Sequence, residues 1–188
     1  THGSADAENR SDISDITVLN SDVLHCRSTK KVYNGAIAVN LGDENTGSNI
    51  RFENINIEGC DESSAINARV MRNADYNKVP GKSLSNVTFK NINVKCDREK
   101  IAKSDIYGYA DDRMIADVRI ENFRINGVQA TNAEDAMLDI GDYAKNISVV
   151  SDKKTVIYNA AENTPESGLI NAKYRLYRNT FDSSDGIT

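Results

Sequence analysis

Apolar and polar positions alternate in short bursts along this chain, and the bursts recur. Four ten-residue segments, 14–23, 48–57, 85–94 and 116–125, share one pattern. Each has apolar side chains at its third and fifth positions: Ile16 and Val18, Ile50 and Phe52, Val87 and Phe89, Val118 and Ile120. Polar neighbours separate them, so each segment predicts a strand with one buried face. An asparagine follows at the seventh position (Asn20, Asn54, Asn91, Asn122), and Val23, Ile57, Val94 and Ile125 resume the apolar pattern at the tenth. A fifth segment, 145–150, keeps only the first half.

Asparagine adopts the left-handed backbone conformation at little cost, so each central Asn predicts a bend. A second turn residue opens every unit: Asp15, Asn49, Asn86, Asp117 and Asn146. Two strands joined by a one- or two-residue bend of this kind are not a hairpin. They are two sides of a coil that returns to stack on itself, and the central asparagines recur at intervals of 34, 37 and 31 residues. The expectation is an all-β, right-handed parallel β-helix (solenoid) of about five coils with loop insertions. Stacking brings Asn20, Asn54, Asn91 and Asn122 about 4.8 Å apart as a structural amide ladder. Segments 36–39, 65–70, 105–109 and 137–140 supply the third side, and loops bulge at 42–47, 73–82, 98–103 and 131–135. Residues 1–12 read as a leader or partial coil, 13–150 as the coils, and 151–188 as terminal strands or a cap containing Tyr174, Leu176 and Tyr177. Cys26, Cys60 and Cys96 fall at similar offsets, so they stack in adjacent coils; side chains on parallel neighbours point the same way, which favours thiols over a disulfide.

Composition fits this picture. Hydrophobic residues make up 39%, there is no Trp, and only two Pro occur. A net charge of −5 excludes a nucleic-acid backbone as partner, because phosphate binding needs a basic surface. No apolar run reaches the roughly 18 residues that span a bilayer. The first residues lack Met and the features of a signal peptide, so the sequence reads as starting inside a longer protein or after a removed tag. Self-association through an open coil end is a further expectation.

No metal-ligand, phosphate-loop or nucleophile motif is present, and no cofactor or metal is expected. Carboxylate chemistry on a β-helix needs acids from neighbouring coils. Candidates are Asp43-Glu44, Asp61-Glu62, Asp111-Asp112, Glu134-Asp135 and Asp139 with Asp142, all equally readable as solvated turn acids. His25 and Arg27 flank Cys26, either as packed edge residues or as binders of sugar hydroxyls or carboxylates; Arg69 and Arg72 extend that polar face one coil on. Tyr107 and Tyr109 alternate and offer either a platform for a sugar ring or simple packing. The Asn86 and Asn146 sequons are accounted for by the repeat itself.

The run from Ile16 to Arg27, then Asn34 to Ile37, then Asn49 to Gly59, resembles the later coils of glycoside hydrolase family 49, the dextranases and isopullulanases. More distantly it is similar to family 28 polygalacturonases. The His25-Cys26-Arg27 run and the Glu58-Gly59 pair carry the resemblance most specifically. It implies inverting hydrolysis of an α-glucan-like polysaccharide by a secreted bacterial enzyme of which this chain is the C-terminal portion. In that family the catalytic aspartates precede the matched stretch. The implied catalytic carboxylates are therefore upstream and the catalytic residues here unknown, with His25 and Arg27 as groove residues and the chain alone inactive on dextran or pullulan. The alternatives are a non-catalytic β-helix module that binds glycans or serves as scaffold or adhesin, and another β-helix enzyme such as a lyase or α-galactosidase.

Overall fold

A computed structural model describes residue 8, residues 11–27 and residues 35–160. In it the repeated segments become one parallel sheet. Strands β1 (Ile13–Val23), β4 (Thr46–Ile57), β7 (Ser83–Val94), β9 (Ile115–Glu121) and β13 (Ala144–Val150) lie side by side in chain order. The register matches the sequence pattern: Ile16 lies opposite Ile50, Ile50 opposite Val87, Val87 opposite Val118, and Val118 opposite Ile147. A second parallel sheet is built from β3 (Ile37–Leu41), β6 (Ile66–Val70), β8 (Ser104–Tyr107) and β12 (Leu138–Ile140). A short third side pairs β2 (Cys26–Arg27) with β5 (Cys60–Asp61). The described residues thus form a parallel β-solenoid of about four turns, with no α-helix among them.

The fifth unit is the reason the turns number about four and not five. After β13 the chain turns at Ser151, whose amide donates to the carbonyl of Lys154, and returns as β14 (Thr155–Tyr158), antiparallel to β13. It adds a last rung to the first sheet and never reaches the second. Tyr174, Leu176 and Tyr177 lie outside the described residues. The fourth coil also departs from the template. Asn126 and Gly127, both at positive φ, turn β10 (Arg124–Ile125) into an antiparallel pair with β11 (Val128–Gln129). An Asn-Gly pair between apolar residues is a strong short hairpin signal, and the repeat conceals it.

Between the sheets lies a core of stacked columns. Ile50, Val87, Val118 and Ile147 form one, all buried, and Phe52, Phe89, Ile120 and Val149 form the next. The Phe52 and Phe89 rings stack with centroids 5.4 Å apart and planes 7° from parallel. From the second sheet Val39, Ala68, Ile106 and Ile140 point inward to meet them.

The bends are where the sequence is most exacting. All nine bend residues of the first sheet have φ between 50° and 59°: Asp15, Asn49, Asn86, Asp117 and Asn146 in one column, Asn20, Asn54, Asn91 and Asn122 in the other. Left-handed backbone costs most residues about 1–2 kcal/mol and asparagine or aspartate much less. The central column is also a continuous chain of amides. Asn122 donates to Asn91 (2.8 Å), Asn91 to Asn54 (2.9 Å), and Asn54 to Asn20 (2.9 Å).

The cysteines follow the register in part. Cys26 and Cys60 are direct partners on β2 and β5, and all three cysteines are free thiols. Cys96 lies past the end of β7, where its amide and carbonyl both bond the Asn126 side chain.

Replacing Asn54 by Ala removes two ladder bonds and the left-handed preference together. We expect a loss of about 2 kcal/mol by urea unfolding, with Asn54→Gly, which keeps the backbone freedom, losing about half of that. Equal losses in the two variants would show that the left-handed preference contributes nothing, and an unchanged Asn54→Gly would show the same of the amide ladder.

Candidate functional site

The outward positions of the second sheet carry the most unusual chemistry in the fold. Inward positions alternate with outward ones along β3, β6, β8 and β12, and the outward residues stack in two columns. One runs Ala38, Asn67, Asp105, Asp139; the other runs Asn40, Arg69, Tyr107 and then Gly141. Four loops of different length bring these residues together, which no local motif encodes.

Arg69 is the centre. Its side chain is completely buried although it stands on the outward face. Nε donates to Oδ1 of Asn40 at 2.7 Å, Nη1 donates to Oδ2 of Asp105 at 3.3 Å, and the guanidinium carbon lies 5.9 Å from the centroid of the Tyr107 ring. A guanidinium tolerates such burial because its fork can be filled by planar acceptors and its face by an aromatic ring. Asn67, also buried, accepts the backbone N–H of Asp105 at 2.6 Å and fixes the start of β8.

Asp105 and Asp139 are register partners on β8 and β12, so the two carboxyl groups leave adjacent rungs on the same side. Burial pushes the Asp105 carboxyl above the usual carboxylate range, even against the Arg69 cation, and the Asp139 charge adds to the rise. Burial raises Asp139 too, opposed by Lys103. Burial likewise raises the Tyr107 phenol, with Arg69 opposing. Two carboxyls and a phenol held towards their protonated forms around a buried cation form the sort of cluster that function requires more often than folding does. Gly141 keeps space beside Tyr107: a Cβ there would lie 3.1 Å from the Tyr107 Cβ.

The other sequence candidates are placed elsewhere. His25 and Arg27 belong to the third side, not to this face. His25 sits over Gly59, where a Cβ would come within 2.9 Å of its Nδ1, and this explains the glycine. Arg27 pairs with Glu62 at 3.3 Å, both well exposed, a contact worth about 0–1 kcal/mol. Tyr109 does not continue the alternation of Tyr107. The strand ends at Tyr107, the Tyr109 amide donates to the carbonyl of Arg113 at 2.8 Å, and the ring packs on the core. Arg72 donates to the carbonyl of Asn77.

The acidic pairs expected from sequence are occupied by turn work. Asp43 is buried and accepts from the Asn77 side chain and from the amides of Lys78 and Val79; Glu44 pairs with Arg113 at 2.5 Å. Asp112 pairs with Lys82 at 2.9 Å, which lowers its pKa. Asp135 accepts the amide and hydroxyl of Thr131 and the amide of Asn132, and is lowered for that reason. Asp142 meets Gly108 through its backbone carbonyl. Asp105 was legible as a strand residue but not as a site residue; the signal was its position opposite Asp139 once the strands of the second sheet are aligned.

Among the described residues no group of three or more His, Cys, Asp or Glu side chains is placed to hold a metal ion, and no helix is long and apolar enough to cross a membrane. Comparison with family models, with curated proteins and with solved structures gave no match.

The raised Asp139 fixes a pH dependence. A carboxyl whose folded pKa lies above its unfolded one favours the fold most while protonated, and that contribution is lost as pH rises through the folded value. Asp139→Asn cannot ionise, so we expect it to melt above the parent protein at pH 7 and to match it below about pH 4. Parallel melting curves across that range would contradict the burial of the carboxyl.

Proposed function

We propose that this chain supplies substrate-binding coils of a secreted polysaccharide hydrolase, with the outward face of the second sheet receiving the glycan. The observation that carries the reading is the set formed by Arg69, Asp105, Tyr107 and Asp139: a rigid, buried cation beneath a row of carboxyl and phenol groups, with Gly141 leaving room beside Tyr107. Sugar recognition combines an aromatic face with fixed, multiply bonded polar groups, and both are here on strands and not on mobile loops. A net charge of −5 suits a neutral glycan better than an acidic one. The resemblance of residues 12–128 to family 49 points to an α-glucan and leaves the catalytic carboxylates upstream.

The full burial of Arg69 favours a second reading, a scaffold or adhesin module in which the cluster only holds adjacent coils together. The two readings separate in solution. Titration calorimetry with dextran and pullulan oligosaccharides should show binding that Tyr107→Ala weakens roughly tenfold, since a sugar–aromatic contact is worth about 1 kcal/mol or more. Neither polymer should release reducing ends when incubated with the chain alone. Absence of binding, or binding indifferent to Tyr107→Ala, would leave the scaffold reading.

A further inference from the structure

The ladder that opens each unit of the first sheet contains a fault that the central ladder lacks. In the central column every amide oxygen has a donor: Asn54 donates to Asn20, Asn91 to Asn54, Asn122 to Asn91, and Gln129 Nε2 to Asn122 at 3.1 Å. In the opening column Asn49 donates to Asp15 (2.9 Å), Asn86 donates to Asn49, and Asn146 donates to Asp117 (2.6 Å). Between Asn86 and Asp117 the chain of donors stops. Register places Asp117 opposite Asn86, since Ser85 pairs with Ala116 and Val87 with Val118. An ionised carboxylate has no proton to give, so the Asn86 oxygen faces an acceptor. A third column, in which Asn56 donates to Asp22 and Asn93 to Asn56, meets Arg124, a donor type, at the same step. Of the three columns, this one step alone sets acceptor against acceptor.

Asparagine at 117 would accept from Asn146 equally well, would tolerate the left-handed backbone, and would donate to Asn86. Aspartate forgoes that bond. A local rule broken where the compatible residue is so close at hand marks a position serving something other than the fold.

Beside the fault lies a groove. Asp15, Thr17, Asn49, Arg51, Asn86 and Thr88, outward residues of three successive rungs, line a hollow of about 320 Å³ on the first sheet. Arg51 is held in it by Glu53, through Nε at 2.8 Å and Nη2 at 2.5 Å. We propose that this groove is a second glycan subsite, whose occupant, a neutral polyhydroxylated chain, donates hydroxyl protons to the Asn86 oxygen and to the Asp117 carboxylate and meets the hydroxyls of Thr17 and Thr88. Two exposed oxygens from two residues are far fewer than the six to eight that calcium takes, so hydroxyl donors fit the fault better than a cation does. The proposal rests on the carbohydrate reading but uses a different sheet and different residues.

The test is Asp117→Asn, examined with a dextran hexasaccharide as probe and the side-chain amide signals of Asn49 and Asn86 as reporters. In the parent protein the sugar should shift the Asn86 amide signals. In Asp117→Asn the repaired ladder should raise the melting temperature while sugar affinity at this groove falls roughly tenfold, the scale of a hydrogen bond to a charged acceptor. A variant that melts lower, or that binds as the parent does, overturns the proposal. So does a shift of Asn86 with calcium chloride alone and none with sugar. If the sugar binds and is sensitive to Tyr107→Ala while Asn86 stays unmoved, this groove is refuted and the second-sheet reading stands. Absence of sugar binding anywhere removes both.

Discussion

Left-handed backbone at the same two places in every coil is the constraint from which the rest of the fold follows. A strand of eleven or twelve residues cannot wrap a narrow core unless it bends, and here it bends at Asp15 and Asn20, at Asn49 and Asn54, and at Asn86 and Asn91. Each bend is cheap only for a few residue types. Once the bends align, identical amides fall one rung apart and bond to one another, so the turn residue and the stacking interaction are a single choice of side chain. The core columns then have no freedom: Phe52 must meet Phe89 because Asn54 meets Asn91.

That coupling explains how much was readable in advance. The repeat of apolar and Asx positions carries both register and bends, so the first sheet and its ladder could be read from residues 14–150 directly. The second sheet could be approximated, because residues 36–39 and 65–70 retain an alternating pattern. The number of turns could not, since the reversal at Ser151 to Lys154 is an ordinary polar turn that looks like any other loop. The Asn-Gly hairpin at 126–127 was overlooked because a repeat invites every unit to be read by the template.

The candidate site was harder for a different reason. Its residues come from coils 29 and 36 residues apart, as the separations of Arg69 from Asn40 and Asp105 show, and those offsets differ from the offsets of the first sheet. Loop lengths of unequal size shift the second sheet relative to the first, so the partner of Asp139 cannot be found by adding a constant. Acidic pairs adjacent in sequence drew attention instead. Asp135 turned out to be bound by the amides of its own turn, whereas Asp43 and Asp112 are held across to a neighbouring coil, by the amides of Lys78 and Val79 and by the Lys82 ammonium.

The two ends of the solenoid show what the stacking leaves unsolved. At one end β14 runs antiparallel along β13, and the Tyr158 hydroxyl accepts the amide of Ala133, tying the last strand back to the fourth coil. At the other, β1 has the register of every later rung but little of their burial. Ile16 and Leu19 are 39% and 48% exposed, and a hollow of about 240 Å³ opens among Ile13, Ile16, Val39, Ile50 and Phe52. That hollow is the mouth of the core itself. The same strand carries Asp15 and Asp22, acceptor-ended ladders that offer a strand pairing there a negative charge on either side of the Asn20 amide. A charged edge of this kind discourages indiscriminate pairing with a second β1, because like carboxylates would face each other across the new contact. The same edge admits a strand that brings donors to those two columns. The side chains that stack the coils thus also bear on what can stack upon them.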